Sequence, residues 1–101
     1  MPTRFETEVW NLCAKIPKGK VSTYGAIAQG VGIPNGARAV GNALNCNPYA
    51  PTVPCHRVVK SNGSIGGYAY GTRKKIQLLE REGVSIINGK ITNFNQVLYH
   101  F

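Results

Sequence analysis

The amino-acid sequence predicts a single domain that is mainly α with small β-hairpins, of the helix-turn-helix or winged-helix-like type. Three observations predict this fold class. An amphipathic pattern covers residues 3–16, two short helical patterns at residues 24–29 and 37–44 are joined by a glycine-containing connection, and two Asn-Gly dipeptides are flanked by β-branched runs. At 101 residues the chain is one domain and can bury a core without disulfides or metals.

The first predicted helix has its apolar residues on one face. They fall at i, i+4, i+7, i+8 and i+11: Phe5, Val9, Leu12, Cys13 and Ile16. Thr3, followed three residues later by Glu6, has the pattern of a capping box. Because Cys13 lies on the apolar face, we interpret it as a small buried hydrophobe rather than a reactive thiol.

The next two helices form the predicted helix-turn-helix. Ser22 is the expected cap of a helix over residues 24–29, and residues 30–36 form a tight connection. The following helix, residues 37–44, is built largely of small residues, which allow close approach to either another helix or a nucleic-acid groove. Its one long cation, Arg38, is either a solvated surface residue or a contact to phosphate or to a gap in a base stack.

The second half of the chain has two hairpin signals and one more helix. Asn62-Gly63 lies between residues 57–59 and Ile65, and Asn88-Gly89 joins residues 84–87 to residues 90–92. Between them, Thr72 is the expected cap of a helix over residues 73–82, which ends at Gly83. The apolar residues after Ile91 predict a tail that packs against the domain.

Composition limits the class of protein. Twelve Lys and Arg against four Glu, with no Asp, give a net charge of +8, which favours an anionic partner such as nucleic acid over a merely soluble basic surface. The three cysteines include no C-x-x-C pair, so neither a disulfide framework nor a zinc ribbon is indicated. No membrane-spanning run and no signal peptide are visible, so we expect a soluble, cytoplasmic chain.

Residues 54–59, Pro-Cys-His-Arg-Val-Val, carry the candidate chemistry. Cys55 is a candidate nucleophile because His56 and Arg57 offer the base and the cation that a thiol needs for activation. Neighbouring side chains of an extended segment point apart, so a relay requires a bend at Cys55 or a bridging water. Either Glu80 or Glu82 can orient the imidazole in a compact domain. Residues 66–71 form a glycine-rich loop with two tyrosines, suited to the wall of a pocket for a flat ligand.

The motif at residues 54–59 resembles the active site of the O6-alkylguanine-DNA alkyltransferases, also called methylated-DNA-protein-cysteine methyltransferases. The resemblance covers roughly residues 3–87. Further matching segments occur in the family's order and spacing: Ser-Thr-Tyr-Gly at 22–25, Arg-Ala-Val-Gly at 38–41, Asn-Pro at 47–48, Gly-Gly-Tyr at 66–68, and Leu-Leu followed by Glu-Gly at 78–83.

The resemblance implies a suicide DNA repair protein without a cofactor or metal. Cys55 would take the alkyl group from a guanine rotated out of double-stranded DNA, His56 would act on Cys55 through a water, and Glu82 would orient His56. Tyr24 would donate a hydrogen bond to the base, and Asn47 would brace the loop that carries Cys55. The substrate pocket would comprise Pro54, Val58, Tyr68, Ala69 and Lys75, with Val58 and Ala69 contacting the base edges through their backbones.

The resemblance also implies how DNA is bound. The helix with Ala37, Arg38 and Gly41 would enter the minor groove beside Tyr24, and Arg38 would fill the space left by the rotated guanine. The chain would act as a monomer in the cytoplasm at a prokaryotic nucleoid, or in a eukaryotic nucleus.

The chain departs from the family pattern in one respect, and the sequence leaves two alternative functions open. Family members usually carry an additional N-terminal domain, whereas residues 1–101 correspond to the catalytic and DNA-binding domain alone. A related class, the alkyltransferase-like proteins, binds the lesion but commonly has Trp in place of the nucleophile, and Cys55 argues against it. A Cys-His hydrolase of another substrate is the third possibility, which the basic charge disfavours.

Overall fold

The computed structural model describes residues 3–47 and 53–101. In these ranges the elements follow one another as α1 (Arg4–Ala14), β1 (Ser22–Thr23), α2 (Tyr24–Gly30), α3 (Ala37–Asn45), a 3₁₀ turn (Cys55–Arg57), β2 (Val58–Val59), α4 (Thr72–Arg81), β3 (Ile86–Ile87), β4 (Lys90–Ile91) and α5 (Phe94–Val97). The predicted class, mainly helical with small β elements, is confirmed. Pro48, the second residue of the Asn-Pro segment, lies outside the described residues.

Helix α1 begins at the predicted capping box. The Glu6 amide donates to Thr3 Oγ1 at 3.0 Å, and the Thr3 amide donates to Glu6 Oε1 at 2.8 Å, so two amides at the helix start are satisfied. The apolar face of α1 is buried, and its Trp10 indole donates to the carbonyl of Ala43 in α3 at 2.8 Å. Cys13 is fully buried, as its place on the apolar face predicted.

Helices α2 and α3, with the connection at residues 31–36, form the helix-turn-helix. Thr23 caps α2 by accepting the Ala26 amide at 3.0 Å, so the prediction of Ser22 as the cap is wrong. Ser22 is instead a buried residue of β1, because the preceding segment enters the core as a strand. Helix α3 buries Val40, Ala43 and Leu44 and leaves Arg38 exposed.

The strand β2 pairs in parallel with β1, with Ser22 opposite Val58 and Thr23 opposite Val59. The predicted hairpin between residues 57–59 and Ile65 is therefore wrong in its pairing: both valines are fully buried, which suits a parallel pair covered on two faces. The Asn62-Gly63 turn itself does form.

The second predicted hairpin is confirmed. Strands β3 and β4 pair antiparallel, with Ile86 opposite Ile91 and Ile87 opposite Lys90. Asn88 and Gly89 both have positive φ, at 52° and 75°, which is the backbone conformation that a two-residue turn of this kind requires.

Helix α4 begins at Thr72, and Gly71 precedes it at φ 97° without a side-chain cap. The prediction that Thr72 caps this helix is therefore wrong by one position, because the chain turns into the helix at the glycine. Helix α4 and the C-terminal segment form a second core beside the one under α1 to α3. Its buried residues are Val21, Val59, Ile65, Leu79, Val84, Ile91 and Val97.

The C-terminal tail packs against the domain, as predicted. The Val21 amide donates to the Val97 carbonyl at 2.9 Å, and the Tyr99 amide donates to the Val21 carbonyl at 2.7 Å. The tail thus extends the line of backbone pairing that β1 begins. Among the described residues, no helix has the length and apolar character needed to span a bilayer.

The second core generates a stability prediction. Ile91 is 6 % exposed and Ile87, on the same hairpin, is 61 % exposed. We expect Ile91→Ala to lower the free energy of unfolding by about 2–4 kcal/mol, and Ile87→Ala to change it by less than about 0.5 kcal/mol. Urea unfolding of both variants measures the difference. Equal effects would contradict the assignment of the hairpin's inner and outer faces.

Candidate active site

The 3₁₀ turn supplies the bend that the sequence required at Cys55. The Cys55 amide donates to the Val53 carbonyl and the Arg57 amide donates to the Pro54 carbonyl, both at 2.9 Å. With about three residues per turn, the side chains of three consecutive residues point in three directions. Cys55 is 5 % exposed and belongs to the core under α1 to α3, and His56 is 2 % exposed.

Asn47 is hydrogen-bonded to the segment just before Cys55. Its Nδ2 donates to the Val53 carbonyl at 3.0 Å, two residues before Cys55, and its side chain is buried. The amide therefore joins the end of α3 to the segment that leads into Cys55. That Asn47 braces this segment for a reaction stays a prediction.

His56, Arg57 and Glu82 form a mostly buried network. Glu82 Oε2 lies 3.1 Å from His56 Nε2 and accepts from Arg57 Nη2 at 2.6 Å, while Oε1 accepts from Arg57 Nε at 2.9 Å. Arg57 Nη1 also donates to the Ile16 carbonyl at 2.7 Å. Of the two carboxylates left open by the sequence, Glu82 is the one at the site, whereas Glu80 is exposed.

The network shifts two pKa values in the same direction. Burial lowers the pKa of His56 and outweighs the opposing hydrogen bond from Glu82. For Glu82, burial alone would raise the pKa, but the hydrogen bonds with Arg57 and His56 outweigh it and lower the pKa. Near neutral pH the site thus holds a neutral imidazole against an ionised carboxylate.

Lys75 lies fully buried beneath Tyr24 and Val58. Its Nζ donates to the carbonyls of Val58 at 2.7 Å and Gly67 at 2.9 Å, and to the Tyr24 hydroxyl at 3.4 Å. The Tyr24 hydroxyl also donates to the Gly67 carbonyl at 3.5 Å. Burial lowers the pKa of Lys75 to about 8, although the charge on Cys55 opposes the shift. Burial also raises the pKa of Tyr24.

Tyr68 lies beside Cys55. Its ring meets that of His56 edge-on, with centroids 6.5 Å apart, and that of Tyr70 with centroids 5.4 Å apart. Burial raises the pKa of Tyr68 to about 12, with the charge of Cys55 and a hydrogen bond to it adding to the shift. Ala69 is exposed and Pro54 is buried next to Cys55. The glycine-rich loop thus places an aromatic wall at the thiol.

One of the α3 residues expected to meet DNA, Gly41, lies next to Tyr24. A Cβ added to Gly41 would lie 3.9 Å from the ring of Tyr24, so the small residue lets that ring pack against the helix. Ala37 is partly buried and Arg38 is exposed on the first turn. Tyr24 therefore connects α3 to the site of Cys55.

The sequence did not predict two features of the site. Arg57 donates to Glu82 and to the Ile16 carbonyl, and no signal in the sequence pointed to these partners. The Gly67 carbonyl as an acceptor for Lys75 had no sequence signal either. Over residues 3–47 and 53–101, no group of three or more His, Cys, Asp or Glu is placed to hold a metal ion.

The fold and the site together define a class of protein: a small helix-turn-helix domain with a buried cysteine beside a His-Glu-Arg network. Residues 4–84 match the family model described as 6-O-methylguanine DNA methyltransferase, DNA binding domain. The chain belongs to this family, whose members repair alkylated DNA.

Relatives and solved structures agree with this assignment. The chain is 47 % identical over 88 residues to the methylated-DNA-protein-cysteine methyltransferase of Candida glabrata and 51 % identical over 81 residues to that of Methanosarcina acetivorans. These matches cover 87 % and 80 % of this chain but 42 % and 52 % of the relatives. The chain thus spans about half the length of the curated relatives it matches.

Two DNA complexes are similar in structure. Mycobacterium tuberculosis OGT in complex with DNA matches with a TM-score of 0.79 and 45 % identity, over 81 % of this chain and 51 % of that chain. S. pombe Atl1, in complex with damaged DNA containing O6-carboxymethylguanine, matches with a TM-score of 0.86 and 37 % identity over 100 % of both chains.

The buried network generates a pH prediction. Because the pKa of His56 is lowered by folding, the unfolded chain takes up a proton near the ordinary value of 6.5 while the folded chain resists it. The free energy of unfolding should therefore fall as the pH drops below about 6.5, by at most about 1.4 kcal/mol per pH unit for this group. Glu82, with its lowered pKa, adds a further loss as the pH drops below the ordinary value of 4.5.

Denaturant unfolding at a series of pH values tests this expectation. His56→Asn should flatten the pH dependence between about pH 6.5 and 5. His100→Asn, which removes an exposed imidazole, is the matched control. The same pH dependence in the wild type and in His56→Asn would show that His56 does not resist protonation in the folded chain.

Proposed function

We propose that this chain repairs DNA by transferring a small alkyl group from O6-alkylguanine to Cys55, once per molecule and irreversibly. The observation that carries the proposal is a buried cysteine, followed by a histidine whose ring lies against Glu82, in a member of this family. The protein acts as a monomer where the cell keeps its DNA, at the nucleoid of a prokaryote or in a eukaryotic nucleus.

In the proposed reaction, the Nδ1 atom of His56 activates the thiol of Cys55. Glu82 engages His56 Nε2, so the carboxylate favours the tautomer with its proton on Nε2 and leaves Nδ1 as the basic nitrogen. His56 Nδ1 is buried and has no hydrogen-bond partner among the described residues. In the proposed reaction this nitrogen accepts the proton of Cys55 through a water, and Asn47 keeps the loop in place.

The transfer itself is a displacement at carbon. The sulfur of Cys55 forms a bond to the alkyl carbon, the bond from that carbon to O6 breaks, and the electron pair remains on the base. Tyr24 donates a hydrogen bond to the departing guanine, and the buried ammonium of Lys75 next to its hydroxyl favours the negative charge that develops. The base then takes up the proton lost by the thiol, which leaves guanine and a thioether.

Recognition of the base uses the pocket and the helix-turn-helix. The carbonyl of Val58 is already bound by Lys75, so the backbone beside Pro54 and Val58 is fixed where a base edge would lie. Tyr68 and the backbone of Ala69 form the wall opposite. Helix α3, with Ala37, Arg38 and Gly41, enters the minor groove of double-stranded DNA, and Arg38 occupies the space of the extruded guanine.

A second candidate function is binding of the lesion without transfer. It is favoured by the match to S. pombe Atl1 over the full length of both chains, because the described relative binds DNA with an O6-alkylated guanine. The cysteine at position 55 favours transfer instead, since the alkyltransferase-like class commonly has Trp there. The mass of the protein after reaction separates the two functions.

Incubation with duplex DNA containing O6-methylguanine should add one methyl group in place of one hydrogen. Intact-mass measurement followed by peptide mapping should place it on Cys55. Cys55→Ser should abolish the addition, whereas Cys46→Ser, which removes an exposed cysteine, should leave it at one per molecule. An unchanged mass together with preferential binding of the lesion would support the second candidate function.

Arg38→Ala should slow repair of duplex DNA more than reaction with the free modified base. A loss of about 1.4 kcal/mol in stabilising the extruded state slows the duplex reaction about tenfold, while the free base needs no extrusion. Single-turnover rates on both substrates measure the ratio. Arg4→Ala, at an exposed arginine of α1, is the matched control. Equal losses on both substrates would contradict the role in extrusion.

A further inference from the structure

We propose a second phosphate-binding surface on the C-terminal side of the pocket, which contacts the DNA backbone next to the extruded base. It is formed by Lys60, Ser64, Ile87 and Lys90, and we call it the basic ribbon. The proposal rests on the proposed function, because it adds a contact to the same DNA complex. The family model ends at residue 84, before the hairpin that carries Lys90.

Backbone pairing places these residues side by side. The Lys60 amide donates to the Ser64 carbonyl at 2.9 Å across the Asn62-Gly63 turn. Ser64 in turn lies directly opposite Lys90 in an antiparallel bridge, and Lys90 lies opposite Ile87. Side chains of directly opposed residues lie on the same face of a sheet, so Ser64, Lys90 and Ile87 form one row. The hydrogen bond across the turn places Lys60 at the Ser64 end of that row.

This row faces outward. Side chains alternate between the two faces of a strand, and the neighbours Val59, Ile65 and Ile91 are buried in the second core. The residues of the row therefore face away from that core. Lys60 and Lys90 are exposed and Ile87 is 61 % exposed.

The ribbon begins at the pocket. Gly66 has φ 73°, and a Cβ added to it would lie 3.2 Å from the Tyr24 hydroxyl and 3.6 Å from Lys60 Cγ. The aliphatic stem of Lys60 and the hydroxyl of Tyr24 thus flank the same glycine. Because Tyr24 also packs against Gly41 of α3, a continuous path of neighbouring residues joins α3 to the ribbon.

The charge on this face fits a phosphodiester backbone. Lys60 and Lys90 form no ion pair within residues 3–47 and 53–101, and the chain's four carboxylates lie on α1 and at the end of α4. With neighbouring strands about 4.8 Å apart, the two lysines are separated by about 10 Å, a distance that their flexible stems adjust to neighbouring phosphates. The hydroxyl of Ser64 adds a neutral donor between them.

The exposed Ile87 distinguishes DNA from an alternative partner. A protein that docked on this face would bury the isoleucine, so its affinity would depend on the apolar side chain. The affinity for a phosphate backbone depends instead on the two lysines. It falls as the salt concentration rises, because binding releases counterions from the DNA. The isolated position of Ile87 among polar neighbours favours the phosphate backbone.

The test is the salt dependence of binding to a duplex with O6-methylguanine, measured in the Cys55→Ser background so that no transfer occurs. Each lysine that contacts phosphate contributes about 0.9 to the slope of log affinity against log salt. We expect Lys60→Gln with Lys90→Gln to reduce the slope by about 1.8, and Lys60→Arg with Lys90→Arg to retain it. Lys15→Gln, at an exposed lysine beyond α1, should leave it unchanged.

The outcomes separate this proposal from the proposed function. Methyl transfer by the wild type together with an unchanged slope in the double glutamine variant would overturn the basic ribbon alone. A loss of affinity in Ile87→Ser without any effect of the lysine changes would also overturn it and would indicate an apolar partner. Absence of duplex binding in the Cys55→Ser background, with no methyl transfer by the wild type, would overturn both.

Discussion

The position of Cys55 depends on the carboxylate of Glu82. Both of its oxygens accept from Arg57, and one of them also meets His56. Arg57 then donates to Ile16, so a single guanidinium joins the chain just after α1, the turn that carries Cys55 and the end of α4. Removing one partner of such a mostly buried pair leaves an uncompensated charge and costs about 3–5 kcal/mol, which makes the network a strong constraint on the geometry of the turn.

A second constraint comes from a buried cation that has no carboxylate partner in the part of the chain that the structure describes. Lys75 is fully buried and is satisfied by the carbonyl oxygens of Val58 and Gly67. Carbonyl dipoles compensate a charge only in part, so the pKa falls to about 8. A thiolate at Cys55 opposes that fall, because opposite charges in a poorly solvated site stabilise each other. The Cys55 thiolate that the proposed reaction needs and the Lys75 ammonium thus stabilise each other electrostatically.

Local patterns in the sequence correctly predicted the helices but not which strands pair with each other. The capping box at Thr3 and the apolar face of α1 are set by residues within one or two turns, and both were predicted correctly. The pairing of Val58 with Ser22 joins two segments that are far apart in the sequence. No pattern within residues 57–65 indicates which distant segment will pair with them. The cap at Thr23 rather than Ser22 follows from the same pairing, since β1 includes Ser22 and Thr23 and α2 begins at Tyr24.

The site was partly predictable for a similar reason. Cys55 and His56 are adjacent, so the sequence alone brought them together, whereas the choice between Glu80 and Glu82 needed the direction in which α4 ends. The side chain of Arg57 illustrates the limit: a cation next to a thiol suggests activation, but its hydrogen bonds to Glu82 and Ile16 arise from segments 25 and 41 residues away. Long-range partners of this kind leave no trace in spacing or composition.

The burial of Cys55 ties the proposed chemistry to the proposed binding surfaces. A thiol that is 5 % exposed cannot reach a carbon attached to a base that is still stacked in a duplex, so the base must leave the stack. Extrusion costs a few kcal/mol, and binding energy from groups remote from the reacting atoms must offset that cost. Tyr24 lies next to Gly41 of α3 and next to Gly66, which Lys60 of the basic ribbon also flanks. In the proposed complex, Arg38 and the lysines of the ribbon would hold the DNA backbone that flanks the extruded nucleotide. On this argument the positive charge of the chain is part of the mechanism, because it favours the only state of the DNA in which Cys55 can react.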